Sequence, residues 1–340
     1  MQLDIQTHTD QSTLLQLHRE WNELLLNTWY STIFQTPEFY TAWWDVYGKG
    51  NALYIISVWD ETTLVGLAPL YQNEEGALNF LGDRDITDYQ DIIAHHNYQE
   101  AVFDAVFSYL AEHHKGVALN LFSLLEHAPL LTYLEKSSLN WSATPQPAFS
   151  EKENQSYHQV YSSIKLPNTW EKYLESLERK QRHEVRRKYK KLRQNLEHSF
   201  EVITATQDNP QAVAEFITLH KLSAPYKAEF WDAEKTALFQ KLLQTAGEAG
   251  YLKLFFLKVE GQPVASMLIF DVRSEYQLYN SGYNSQLYRE YSTGQVLTSY
   301  TIRHAIEQGK RSYSFLRGNE EYKFRLGAVS QDLLDVTVAL

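Results

Sequence analysis

Tyr279-Asn280-Ser281-Gly282-Tyr283, and shortly downstream Tyr291-Ser292-Thr293-Gly294-Gln295-Val296-Leu297, form the stretch on which the fold turns. The first run closes a strand expected over Glu275 to Tyr283. A polar loop follows, and a helix opens at the Ser-Thr-Gly turn. It runs to Gln308, with Gly309 as its stop. A helix N-terminus carries unpaired backbone N–H groups and the positive end of the helix dipole, so it holds phosphates without needing basic side chains. Gly294 allows a ligand close approach to the backbone. The same turn also reads as a plain cap, with Ser292 or Thr293 holding the first turn. One glycine falls short of a full phosphate-loop motif.

Working outward, Leu252 to Val259 and Pro263 to Val272 are two apolar runs joined by Glu260-Gly261-Gln262, a hairpin signature. Helices are expected over Pro210 to Leu222 and Ala233 to Ala249, and a strand over Ser312 to Leu316 with a final one over 331–340. The first half has the same order. Helical spacing covers residues 13–28 and the residues after Pro37. Leu53 to Trp59 and Thr63 to Tyr71 make a hairpin, Ala77 to Leu81 and Asp91 to Ala94 further strands, Tyr98 to His114 a helix and Val117 to Phe122 a strand. The Ser-, Pro-, Gln- and Asn-rich residues 142–156, with Pro145 and Pro147, read as a boundary. Two domains are therefore expected, 1–156 and 157–340, the second including a basic helical segment 169–198 that Asn168 or Thr169 caps. Each is a mixed α/β (α+β) unit.

A chain of 340 residues exceeds what one core usually fills. Its balance of 44% hydrophobic and 21% charged residues is that of a globular protein. It has no cysteine, which removes disulfides, thiolate nucleophiles and cysteine-based zinc sites together. The N-terminus lacks a signal-peptide pattern, and no apolar run approaches the roughly 20 residues that cross a bilayer, so a cytoplasmic protein is expected. The net charge of -11 argues against broad nucleic-acid binding. One segment departs from it. Glu171 to His198 holds ten Lys and Arg against five Glu. Within it Arg182, Arg186, Lys190 and Arg193 share a helix face. Like charges at that spacing cost stability, so the stripe suggests an anionic partner: tRNA, CoA phosphates, an anionic polymer or a membrane surface.

Candidates for proton transfer are Asp88 and Asp91, in the polar loop Gly82-Asp83-Arg84-Asp85-Ile86-Thr87-Asp88-Tyr89-Gln90-Asp91. The loop lacks the regular spacing of a calcium site, so no metal is expected. His220 reads as a helix histidine held by its neighbours. Arg317 follows directly on a strand, where ligands gather in open sheets and where a guanidinium pairs with phosphate or carboxylate. Lys323 follows it, with a salt bridge to Glu320 or Glu321 as the alternative.

From Leu254 to Ala328 the sequence resembles the GNAT-like CelD/BcsL-type acetyltransferases, which are similar in turn to the Fem-type peptidyltransferases with their two GNAT-like domains. The matching pieces are Gly261-Gln262-Pro263-Val264-Ala265, Ser281-Gly282-Tyr283, Ser292-Thr293-Gly294-Gln295-Val296-Leu297, and Phe315-Leu316-Arg317-Gly318 with Glu321-Tyr322-Lys323. The basic helix and the Asp88-Tyr89-Gln90-Asp91 patch also look like that family. The resemblance implies two tandem GNAT-like domains, each a mostly antiparallel sheet flanked by helices. It implies transfer of an acyl group, from acetyl-CoA or another acyl-CoA, to an amine or hydroxyl of a small or carbohydrate-linked acceptor. Ser292, Thr293, Gly294, Gln295 and Val296 would hold the donor. Tyr89, Tyr279, Tyr283, Arg317 and Lys323 would contact substrate, and Arg182, Arg186 and Lys190 an anionic partner. An aminoacyl-tRNA donor of the Fem kind, and a non-catalytic acyl- or glycan-binding module, remain alternatives.

Overall fold

A computed structural model describes residues 3–150, 155–205 and 209–340. The chain divides into two compact units, Met1–Val160 with Gln331–Leu340, and Tyr161–Ser330.

The first unit runs β1 (Asp4–His8), α1 (Ser12–Gln16), α2 (His18–Leu26), α3 (Pro37–Tyr47), β2 (Ala52–Asp60), β3 (Thr63–Gln72), β4 (Leu78–Phe80), β5 (Ile93–Ala94), α4 (Gln99–His113), β6 (Ala118–Leu125), α5 (Pro129–Lys136) and β7 (Asn140–Pro145). β8 (Pro147–Ser150) and β9 (Gln155–His158) pair with each other. β1 to β4 form an antiparallel meander, with β5 also on β3. α4 then carries the chain across to β6, which lies parallel to β4. A parallel neighbour needs such a crossover, because a tight turn returns the chain antiparallel. Val102, Phe103, Val106, Phe107 and Leu110 put one face of α4 into the core beside Leu70, Leu119 and Leu121. Burying each such side chain contributes roughly 1.5–3 kcal/mol, so packing rather than propensity holds this helix.

The second unit runs β10 (Val160–Lys165), α6 (Trp170–Ser176), α7 (Arg179–Asn195), β11 (His198–Ile203), α8 (Pro210–Ser223), α9 (Pro225–Glu229), α10 (Ala233–Glu248), β12 (Leu252–Val259), β13 (Gln262–Val272), β14 (Glu275–Tyr283), α11 (Thr293–Glu307), β15 (Ser312–Arg317) and α12 (Glu321–Arg325). β11 to β14 are an antiparallel meander. α11 carries the chain over to β15, parallel to β14, and β10 lies antiparallel on β15. The grammar of the first unit is repeated. Even a backbone detail recurs: the strand after each crossover holds a residue in the left-handed region, Ser123 in β6 (φ 59°) and Leu316 in β15 (φ 53°). Each unit is thus mixed and mostly antiparallel in its strands, with flanking helices, as the sequence leads one to expect.

The last strand, β16 (Val329–Ala339), departs from expectation. It pairs antiparallel with β6 and β7, matching Leu333, Val336 and Val338 to Leu125, Leu121 and Leu119. Residues 331–340 therefore complete the first unit rather than ending the second. Alternation shows which face of a strand is buried, but not which sheet receives it. The expected boundary over 142–156 is structured at β7, β8 and β9, while 151–154 lie outside the described residues. The helix expected over 13–28 breaks at Leu17 into α1 and α2, and the strand expected over Asp91–Ala94 shortens to Ile93–Ala94. No helix among the described residues is long and apolar enough to cross a membrane.

Candidate active site

The second unit has a local break in its sheet. β14 and β15 pair only from Glu275 to Gln277 against Ser312 to Ser314, then the parallel ladder stops. On its other edge β14 stays paired with β13 as far as Tyr283, with an irregularity where Leu268 faces Asn280 and Ile269 faces Leu278, so that Tyr279 is the extra residue. Bulges re-aim a strand edge and recur beside active sites. Gly282 sits where β14 crosses α8. A Cβ there would overlap the backbone of Leu219 and His220, so only glycine allows the approach.

The parted strands lead to the start of α11. Its N-cap, Ser292, lies in the left-handed region (φ 53°) and makes no side-chain capping bond. The main-chain N–H groups of Thr293, Gly294 and Gln295 donate to nothing among the described residues. An uncapped helix start of this kind offers its free N–H groups and the positive end of the helix dipole to an anion. Gly294 faces the Tyr283 ring, whose Cδ1 would lie 3.2 Å from a Cβ at that position. The glycine thus lets the end of β14 pack on the helix start. α7 adds charge. Lys188 bonds the side chain of Gln295, and Lys191 donates to the carbonyl of Glu290 (2.9 Å) and lies over the Tyr291 ring at 4.8 Å. Burial holds the Lys188 ammonium below its ordinary pKa. Gln295, Val296, Lys188 and Tyr322 border a cavity of about 400 Å³.

At the carboxyl end of β15, Lys323 is buried. Its ammonium donates to the carbonyls of Arg317 (2.7 Å), Gly318 (3.2 Å) and Phe315 (3.3 Å) and pairs with Glu320 at 2.8 Å. An ammonium has three protons to donate, so Lys323 braces the strand end rather than reaching a ligand. Gly318 (φ 120°) has no room for a Cβ, because Glu320 and Lys323 occupy it. Arg317 is half-buried at the strand end, where the backbone is fixed by this brace.

Sequence reasoning missed Lys227. Its ammonium donates to the carbonyl of Ser281 at 2.6 Å, on the segment of β14 beyond the parallel ladder. Burial pushes its pKa down to about 8, with the Glu320 charge pulling the other way. Periodicity gives no hint of this, since Pro225-Tyr226-Lys227 falls between the two expected helices. His220 lies beside it. The Trp231 indole donates to His220 Nδ1 (2.9 Å), so the imidazole proton sits on Nε2, which donates to Asn280 Oδ1 (3.0 Å). Burial and the Lys227 charge push its pKa to about 3. His220 is therefore neutral at ordinary pH and fixes the bulged edge of β14.

The first unit encloses the two acidic candidates. Asp88 and Asp91 are both buried. Tyr89 donates to Asp91 Oδ2 at 2.7 Å and Trp29 Nε1 at 3.4 Å, while Oδ1 has no partner among the described residues. Burial pushes the carboxyl up to about 7, against these hydrogen bonds. Tyr89, expected to contact substrate, is fully buried and packs edge-on against Tyr30, so it holds Asp91 instead. Tyr279 likewise stacks on Phe239 at 5.6 Å, leaving the 40% exposed Tyr283 as the tyrosine of β14 open to a ligand. Of the basic stripe, Arg186, Lys190 and Arg193 line one pocket and Arg182 does not. Among the described residues no group of three His, Asp or Glu is placed to hold a metal ion.

In this unit the sheet opens beside an uncapped helix start, and the helix crosses to a parallel strand. Residues 179–324 match the family model described as an acetyltransferase (GNAT) domain. Among solved structures the chain is similar to FemX, at 11% identity and a TM-score of 0.68, over 100% of this chain and 98% of that one. It is similar to a conserved protein of unknown function from Bacteroides thetaiotaomicron VPI-5482, at 11% identity and a TM-score of 0.59, over 98% and 100% of the two chains. It is also similar to L-PGS from Bacillus licheniformis, at 10% identity and a TM-score of 0.56, over 94% and 90%. At such identities the likeness is one of fold. No curated protein matches the sequence.

Proposed function

We propose that the protein transfers an acyl group from acyl-CoA to an amine or hydroxyl of a small or carbohydrate-linked acceptor. The observation that carries this is the uncapped start of α11, with three unbonded N–H groups beside the point where β14 and β15 part. Those N–H groups and Lys188 suit a pyrophosphate. The open edge of β14 suits an extended donor arm, since an unpaired strand edge hydrogen-bonds amides. Lys227, with its depressed pKa, suits removal of the acceptor's proton near the same edge. Asp91 is proposed as a second group on whose ionisation the rate depends. Arg317 and Tyr283 are proposed contacts for the acceptor. Lys323 and Tyr279 support the site from behind, and no dedicated nucleophile is needed when positioning and a local base suffice.

The chain has no cysteine, so released CoA thiol is the only thiol in an assay mixture. Acetyl-CoA is incubated with a panel of amino sugars, amino acids and polyamines, and free thiol is read with a chromogenic disulfide. The proposal expects acceptor-dependent thiol release that Lys227→Met reduces. Release that no acceptor accelerates, at rates equal to buffer, would reject it.

The unpaired cations of α7 and the fold likeness to FemX favour a second reading, an aminoacyl-tRNA donor. In a gel shift with charged tRNA, this reading expects binding that falls steeply with salt and is lost on charge reversal of Arg182, Arg186 and Lys190. Binding indifferent to both would remove it.

A further inference from the structure

α6, α7 and α11 enclose a second cavity in this unit, of about 480 Å³, within the range of small-molecule sites. Its apolar walls are Trp170, Leu174, Val185, Tyr189 and Tyr300. The rings are held from behind: Trp170 stacks on Tyr173 at 5.0 Å, and Tyr300 stacks on Phe200 at 3.8 Å with the planes 3° apart. The aromatic surface is thus backed by further rings. Arg186, Lys190, Arg193 and Arg303 supply the rest of the lining with Gln194 and Ser299, and no carboxylate lines it. Arg303 is paired with Glu307 at 2.7 Å. The other three make no ion pair or hydrogen bond among the described residues.

This combination is unusual for a solvated helix face. Three like charges at i, i+4 and i+7 repel one another, and each pair costs a few tenths of a kcal/mol. On an open face they would be diluted by carboxylates, as Glu184 does for Arg187 at 2.8 Å on the same helix. Here the uncompensated cations are gathered on the side of α7 that borders an aromatic and aliphatic cavity. An inorganic anion would satisfy the charges and leave the apolar walls wet. A purely apolar ligand would leave the charges unmatched.

We infer that this cavity binds an organic phosphate: a phosphate or pyrophosphate group on Arg186, Lys190 and Arg193, carrying an apolar body that covers Trp170 and Tyr189. The cavity shares Val185, Tyr189 and Ser299 with the one beside the start of α11, but Arg186, Lys190 and Arg193 do not line that one, and the inference does not depend on the identity of the acyl donor. Two sources share this chemistry. One is an isoprenoid or other aliphatic phosphate, and the other is an aromatic nucleoside phosphate.

Isothermal titration calorimetry of the full chain, with no acyl donor present, tests it with geranyl phosphate (below its micelle concentration), adenosine 3′,5′-bisphosphate and inorganic phosphate. At least one organic phosphate is expected to bind on the order of tenfold or more tighter than inorganic phosphate, from burial of its apolar body. Geranyl phosphate binding tighter assigns an aliphatic body, and the bisphosphate binding tighter assigns a nucleoside. The variant Arg186→Glu/Lys190→Glu/Arg193→Glu, all at exposed positions, is expected to lose both. Trp170→Ala is expected to weaken the organic ligand while leaving inorganic phosphate unchanged. Equal affinities for all three compounds would overturn the inference, as would organic-phosphate binding that survives the charge reversal in a folded variant. Failure of acetyl-CoA binding at α11 would leave these readings unaffected.

Discussion

Lys227→Met separates a functional lysine from a structural one. The ammonium is held at the unpaired part of β14 with a pKa of about 8, against 10.5 for an unconstrained lysine. A shift of that size corresponds to about 3 kcal/mol of penalty on the charged form at neutral pH. The side chain is partly open to solvent, so about 2 kcal/mol is a fairer figure. Methionine has similar length and no charge, so it removes this penalty. It also leaves the Ser281 carbonyl without its donor, at about 1 kcal/mol. The net expectation is a variant more stable by about 1 kcal/mol, seen as a rise of about 2–4 °C in the transition of the second unit. The pH dependence has a definite sign. The unfolded chain binds more protons than the native one between pH 8 and 10.5, so wild-type stability rises with pH through that window. The variant lacks that rise. Urea titrations at pH 7, 9 and 10.5 measure both. A variant less stable than wild type by more than 1 kcal/mol, with an unchanged pH profile, would refute the reasoning and make Lys227 a structural strut. Stability gained with activity lost is the signature of a group retained for function.

Lys323→Met is expected to behave in the opposite way. It strips the donor from three carbonyls and the partner from Glu320, so the unit should lose on the order of 3 kcal/mol in urea unfolding. For Asp91, with its carboxyl raised to about 7, stability is full below the unfolded pKa near 4 and is lost as pH rises through 7. Asp91→Asn should therefore flatten stability between pH 4 and 8 and abolish any rate change centred near pH 7, read from parallel pH–rate and pH–melting profiles. His220, lowered to about 3, opposes acid: stability should fall as pH drops from 6.5 towards 3, by up to about 4 kcal/mol, and His220→Gln should remove that slope in chemical denaturation.

The elements that carry local signatures were readable from sequence. The hairpin at Glu260-Gly261 is formed with both residues at positive φ, 51° and 78°, as a tight two-residue turn demands. Thr169 caps α6 with its hydroxyl, accepting from the Lys172 N–H at 3.2 Å. The helix start after Ser292 is where the spacing puts it, although its cap is a left-handed backbone and not a hydroxyl. Edge strand β11 was not readable: it is half-exposed along its length, and its Phe200 and Val202 alternate too briefly to stand out. The return of β16 to the first unit depends on partners on β6 and β7 that are remote in sequence, which no window senses.

The site divides along the same line. The residue types that bind anions were visible as a basic stripe and a Ser-Thr-Gly turn. Which cavity each of them borders depends on which face of α7 meets α11. Tyr89, Tyr279 and Lys323 have the chemistry of ligand contacts, but burial and existing partners commit them to holding other groups. Lys227 is the reverse case, a lysine with no motif that acquires significance only because α9 places it against Ser281.

The opening beside α11 is proposed to receive an acyl-CoA. Calorimetric titration of acetyl-CoA into the wild type and into Lys188→Glu tests it directly, because Lys188 is the cation at Gln295 and lies outside the sheet. Saturable one-to-one binding tighter than about 1 mM is expected, weakened on the order of tenfold by the charge reversal and by raised salt. Absence of saturable binding in a folded wild-type protein, or equal affinity in the variant, would contradict it.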